Sequence, residues 1–305
     1  AADSMMLDRV MPDDSLAVTL KLNTLKLRQA QKAGEEVMLN LQVCKKEAAP
    51  WAPAGHVVAQ QQYTLLERGP LPELSTKGGR KLALQVEETE STVSVKNANV
   101  EAVFNRKNGQ MTSLVMNGQA VVSEGQGFVY DNHRWIENDR FTRTENGLEA
   151  EGECTVTKDG AKVVVKTVRK GSLCDTQINY TFAPDGTMDM DAVFQPHTAD
   201  LRRCGLVCGI NPSLSQVDYY AYGPWENYND RKDGCMVGRY TTTVDDMAEK
   251  YVKPQSMGNR EGLRELKLTD ASGKGVCIRT EGNVSFSALR YTDEDLMKGQ
   301  HMWEL

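Results

Sequence analysis

Along most of this chain, apolar residues recur at every second position. In EEVMLNLQVC, Val37, Leu39, Leu41 and Val43 alternate with Met38, Asn40 and Gln42. A period of two places one set of side chains on one face of a strand, so the pattern predicts strands with a single buried side. In TQINYTF, Ile178, Tyr180 and Phe182 share a face. APDG follows, a turn in which Pro184 fixes φ and Gly186 takes a conformation that other residues resist. TMDMDAVF then aligns Met188, Met190, Ala192 and Phe194, and the two runs together predict a hairpin with one buried side. AKVVVKTVRK, entered through the turn signal KDG, and VCIRTEGNVSFSALRY are further β-rich runs.

Helical signals are sparse. TTVDDMAEKY has an acidic start and predicts one or two turns. TDEDLMKG places Thr292 as N-cap, Asp295 three residues on and Gly299 as the stop. No strand-helix alternation of the doubly wound or barrel kind is present. The fold class expected is all-β. LLERGPLPELSTKGGRKLAL, rich in Pro and Gly between β-like segments, predicts a linker over residues 69–81. It separates a small β domain, 1–68, from a large many-stranded one, 82–305.

Composition narrows the function classes. The chain of 305 residues carries a formal charge of −6 and no dense Lys/Arg stretch, which argues against a nucleic-acid surface. No run of about 18 apolar residues suggests a membrane-spanning helix. AADSMMLDRVMPDD lacks the basic start and apolar run of a targeting segment, and its abruptness suits an excised or processed piece. The compartment, cytoplasmic or periplasmic, stays open. Seven cysteines are scattered, and Cys204 and Cys208 lack a second ligand pair nearby, so free thiols are expected and no metal site.

G-x-S-x-G, P-loop and H-E-x-x-H patterns are absent. Two clusters could carry chemistry. In YAYGPWENYNDRK, Glu226 lies between Trp225 and Tyr228, a pairing of acid and aromatic faces that suits a sugar site. The plainer reading has Glu226 and Asp230 pairing with Arg231 or other arginines while the aromatics pack in the core. In YDNHRWIENDRF, Asp131, Asn132, His133, Trp135, Glu137, Asn138 and Asp139 form either a solvated loop or a binding loop. His133 and His197 could form an acid-base pair of the kind a sugar epimerase needs, or could be unrelated loop histidines.

YGPWENYNDR resembles the G-P-x-E-N-Y-x-D-R segment of the large β-galactosidases of glycoside hydrolase family 2. DMAEKYVKPQSMGNREGLRELKL is similar to their Y-V-x-P-Q-x-x-G-x-R segment and the Arg-rich strand after it, with Ser256 where Glu is common. FNRKNGQMTSLVMNGQAVV resembles the strand-turn-strand that opens their last domain. WAPAGHVVAQQQYTL resembles the strand that closes the preceding immunoglobulin-like domain. LRRCGL, with Arg203 and Gly205, is similar to their R-x-G-L strand. VYDNH resembles their R-A-P-x-D-N-D loop, keeping Asp131 and Asn132 but carrying His133 in place of the final Asp.

The resemblance implies a small immunoglobulin-like sandwich, either lacking early strands or irregular at its start, followed by a galactose-mutarotase-like supersandwich, the non-catalytic C-terminal portion of a retaining β-galactosidase. It places the catalytic glutamates, with the Mg²⁺ and often Na⁺ of the family, on other domains, so this chain has no catalytic residue or cofactor of its own and is expected to be inactive alone. The implied partners are the catalytic barrel, the galactoside substrate and further copies in an oligomer. Asp131, Asn132 and His133 become substrate-proximal. Arg203, Trp225, Glu226, Tyr228, Asp230 and Arg231 become structural or sugar-facing residues. The resemblance also implies that the last domain continues past Leu305, and Trp303 inherits no family role. A free-standing carbohydrate-binding or aldose-epimerase-like module is the alternative.

Overall fold

The computed structural model describes residues 3–8, 10–77, 82–136 and 146–305. The chain forms two compact units, Ala1–Pro70 and Leu71–Leu305. Among the described residues every ladder is antiparallel and β-structure predominates, as the period-two pattern predicts.

The first unit contains helix α1 (Thr24–Lys32) and a hairpin of β1 (Val37–Cys44) and β2 (Val57–Leu66). Of the expected small sandwich, the described residues hold this one two-stranded sheet. The Asn23 side chain caps α1 by accepting from the Lys26 N–H at 3.0 Å. Ala30 is the helix's one buried residue, so its sequence shows almost no apolar stripe.

The second unit begins with a five-stranded meander, β3 (Gln85–Glu88), β4 (Thr92–Lys96), β5 (Val100–Asn105), β6 (Met111–Met116) and β7 (Gln119–Val122). The short β8 (Val129–Asp131) follows. Next come β9 (Glu153–Asp159), β10 (Lys162–Arg169), β11 (Cys174–Phe182) and β12 (Met188–Pro196), a four-stranded sheet in sequence order. The short β13 (Gly205–Val207) pairs with β8. A last sheet is ordered β15-β14-β16-β17, from β14 (Gln216–Gly223), β15 (Met236–Thr243), β16 (Glu265–Thr269) and β17 (Gly275–Arg279). Helix α2 (Asp293–Lys298) lies near the end.

The meander and the β9–β12 sheet share one core. Val93, Val95, Ala102, Phe104 and Met111 from the first meet Val163, Val165, Ile178, Tyr180 and Phe182 from the second. Phe104 stacks 5.1 Å from Tyr180 and 6.3 Å from Phe182, centroid to centroid. The β14–β17 sheet has its own core around Val217, Tyr219, Leu266 and Leu268, and Ile210 and Val276 pack against both. A third cluster joins Trp135, Met257 and Leu296.

The predicted 178–194 hairpin forms, with Ile178 opposite Ala192 and Tyr180 opposite Met190. Its turn holds Gly186 at φ +89. The KDG turn joins β9 to β10. Thr292 and Asp295 make a capping box on α2, each side chain accepting from the other's backbone N–H, as the sequence predicts. TTVDDMAEKY contributes a single 3-10 turn, Asp245–Met247. The run through VCIRTEGNVSFSALRY is strand only to Arg279; beyond it, Phe286 makes an isolated bridge to Arg260. All seven cysteines are free thiols.

Phe104→Ala removes a fully buried ring from between the two sheets. It should cost about 3–5 kcal/mol in urea denaturation, whereas Val193→Ala, on the exposed face of β12, should cost under about 1 kcal/mol.

Candidate functional site

Two loops that the sequence singles out, 131–135 and 224–231, meet a third, 251–261, and the start of α2. Strand β14 delivers the 224–231 loop. Tyr228 and Arg231 exchange backbone hydrogen bonds (3.1 and 2.9 Å), so Asn229 and Asp230 form the tip of a tight turn. Asn227, fully buried, locks the loop: its Nδ2 donates to the carbonyls of Tyr222 (3.2 Å) and Trp225 (2.9 Å), and its Oδ1 accepts from the Glu261 N–H at 2.8 Å.

Glu226 points inward, its side chain 7% exposed. Its Oε1 accepts from Arg231 Nη2 and the Tyr251 hydroxyl. Its Oε2 accepts from the Gly258 N–H at 2.9 Å and the Tyr228 hydroxyl at 3.4 Å. Burial, and next the Glu226 charge, push the Tyr228 phenol well above its ordinary range. Tyr251 is raised by burial and by its hydrogen bond to Glu226. The guanidinium groups of Arg134 and Arg231 lie 5.5 and 5.3 Å from the Tyr228 ring centre.

Ser256 joins this network to a second one. Its carbonyl accepts from Tyr228 Oη at 3.3 Å, and its hydroxyl donates to Asp293 Oδ2 at 2.6 Å. The Trp135 N–H donates to Ser256 Oγ at 2.8 Å, and Trp135 Nε1 to the Pro254 carbonyl at 3.0 Å. Arg203 bridges Asp131 and Asp293, reaching the latter at 3.1 Å. Asp131 Oδ1 accepts from the His133 N–H at 3.0 Å and holds the loop in a turn. Three atoms here are buried without a partner: Asn132 Nδ2, His133 Nε2 and Arg203 Nε.

The structure thus gathers Asp131, Asn132, His133 and Arg203 at one end of a continuous polar network, with Glu226, Tyr228 and Arg231 at the other. It leaves Trp225, Asp230 and His197 outside. Trp225 is 71% exposed, so the expected packing of both aromatics does not hold for it. Asp230 stands exposed at the turn tip, and among the described residues it makes no ion pair; of the two acids, Glu226 takes the expected pairing with Arg231. His197 lies elsewhere, its ring near Asp175 (3.4 Å) and the Ser172 carbonyl (3.4 Å). No contact among the described residues joins it to His133 or Glu226. Glu137, Asn138 and Asp139 lie outside the described residues. Sequence reasoning did not single out Tyr251, Gly258 or Asp293 as site residues; Tyr251 and Gly258 carried a signal, as the Tyr and Gly of the Y-V-x-P-Q-x-x-G-x-R resemblance, and Asp293 carried none.

Residues 96–305 match the family model described as β-galactosidase small chain. The chain belongs to this β-galactosidase small-chain family. Residues 1–66 match a second model, β-galactosidase domain 4. Among curated relatives, a β-galactosidase of Priestia megaterium is 27% identical over 310 residues, covering 97% of this chain and 29% of its own length. One from Streptococcus thermophilus is 26% identical, covering 85% of this chain and 26% of its own length. One from Vibrio cholerae is 27% identical, covering 88% and 28%. The small-chain sequence therefore spans less than a third of the relatives it matches, as expected of a portion of a β-galactosidase.

Glu226→Gln keeps the shape but removes the charge that Arg231 and Tyr251 face. Because Arg231 is more than half exposed, the loss should be about 1–3 kcal/mol in urea denaturation. Asp230→Asn should change stability by less than about 0.5 kcal/mol. A phenol whose ionisation is pushed up by folding contributes stability that is complete below its ordinary pKa near 10 and is lost as pH climbs toward the folded value. Tyr228→Phe should therefore flatten the decline of unfolding free energy above about pH 10, read from denaturation midpoints across an alkaline pH series.

Proposed function

We propose that this chain is the non-catalytic C-terminal portion of a retaining β-galactosidase of glycoside hydrolase family 2, whose full-length form hydrolyses terminal β-D-galactosyl residues. It packs against a catalytic barrel outside these residues and walls the sugar site. The observation that carries this reading is the tiling of the chain, in order, by two β-galactosidase models, while it covers under a third of each relative. The geometry agrees: all four contacts to Glu226 come from within the fold, which suits a structural carboxylate better than a catalytic acid. Asp131, Asn132 and His133 are the substrate-proximal residues in this reading, and the unpartnered Asn132 Nδ2, a donor, and His133 Nε2, a donor or acceptor by tautomer, suit a hydroxyl-rich ligand. The Mg²⁺ and Na⁺ of the family belong to other domains. Here the carboxylates of Asp131 and Asp293 are bridged by Arg203, which stands where a cation between them would sit. An epimerase-like module would need His133 or His197 to meet Glu226, and among the described residues no contact does so.

The isolated chain should show no turnover of a chromogenic β-galactoside, and the longer parent should hydrolyse it. Turnover by the isolated chain would place the catalytic acids within it and overturn the reading. In the parent, Asn132→Ala should raise KM about tenfold with a smaller change in kcat, the pattern of a lost binding contact.

A further inference from the structure

The inner face of the β9–β12 sheet turns polar at one end. Along β10, Val163 and Val165 face the core, and the same face continues through Thr167 to Arg169. Along β11, Phe182, Tyr180 and Ile178 are followed by Thr176. Arg169 lies directly opposite Thr176 in the ladder, and Thr176 opposite Phe194, whose ring sits 5.7 Å from that of Tyr130 on β8. Tyr130, Thr167, Arg169, Thr176 and Ile178 border a cavity of about 20 Å³ that Gly109 and Gln110 also line. Among the described residues, three of its lining side chains hold a buried polar atom with no hydrogen bond: Arg169 Nε, Thr176 Oγ1 and Tyr130 Oη. Thr176 and Tyr130 are only 5% and 6% exposed. Buried polar atoms without partners are uncommon in native folds, and three around one cavity point to a bound group.

We propose that this cavity binds one small monovalent anion of halide size, held by the N–H of Arg169 and the hydroxyls of Thr176 and Tyr130. The space exceeds the roughly 10–15 Å³ that one water needs and takes a single small ion. Arg169 Nε can only donate, and both hydroxyls are free to do so. Arg169 has no carboxylate partner among the described residues; its Nη2 reaches only the Glu149 carbonyl, at 3.0 Å. Burial pulls the Arg169 guanidinium below its ordinary range. Burial, and next the neighbouring Cys174 and Cys204 thiols, push the Tyr130 phenol up; the thiols can donate to its oxygen, and its own O–H stays available as a donor. A water would satisfy the hydrogen bonds and leave the charge uncompensated, whereas an anion does both.

The test compares melting temperatures of the chain in about 100 mM sodium bromide and sodium gluconate at equal ionic strength, for wild type, Thr176→Val and Arg169→Gln. General salt effects act on all three alike. Ion binding should raise wild type by about 2–4 °C in bromide over the shift shown by either variant. Thr176→Val is near-isosteric, so a failure of Arg169→Gln to fold leaves the comparison intact. Anomalous diffraction from bromide-grown crystals should show a peak between Arg169 Nε and Thr176 Oγ1. Equal shifts in wild type and Thr176→Val, or a water at that position with no bromide peak, would overturn the proposal.

Discussion

A carboxylate withdrawn from water has to find donors for its lone pairs within the fold, and the loop geometry of the second unit follows from that demand at Glu226. The donors come from the residue two positions on, the residue five on, and two further along a separate loop, Tyr251 and Gly258. Satisfying them fixes the 224–231 turn against the 251–261 segment. The Gly258 N–H reaches Glu226 with the backbone at φ +77, and a Cβ there would come within 2.9 Å of the Met247 carbonyl. Glycine is therefore required by both the conformation and the space. Its neighbour Met257 drops into the small core with Trp135 and Leu296, so the polar anchor and the apolar one sit on adjacent residues.

Ser256 carries the same constraint to the 131–135 loop. Through its backbone it braces Tyr228 and Trp135; through its hydroxyl it braces Asp293. Asp293, in the first turn of α2, then shares Arg203 with Asp131. A larger acidic side chain at 256 would add a third carboxylate beside one guanidinium, so a hydroxyl is the group that fits this balance of charge. Fixed charges neutralised within a network hold the loops that carry them in one arrangement.

Legibility in the sequence tracked the range of the interactions involved. The 178–194 hairpin and the Thr292 capping box were readable because their signals are local: alternation, a Pro-Gly turn, a cap and its return partner three residues apart. Helix α1 was not, because with Ala30 as its one buried residue it has no apolar stripe to read. The pairing of Glu226 with Arg231 could be foreseen from proximity, but Asp230 carried the same signal and ended at a turn tip. What separates them is the Tyr228–Arg231 bridge, a backbone fact that residue types do not encode. Tyr251, Gly258 and Asp293 reach the site across 25 or more positions, beyond any spacing rule.

Strand β8 shows how the two polar regions of this unit come from one element. It is three residues long, and successive side chains on a strand point to opposite faces. Tyr130 therefore turns toward the cavity at the end of the β10–β11 face, while Asp131 turns toward Arg203 and the loop network. Short as it is, and paired among the described residues with the equally short β13, it leaves one hydroxyl and one carboxylate where the apolar core ends.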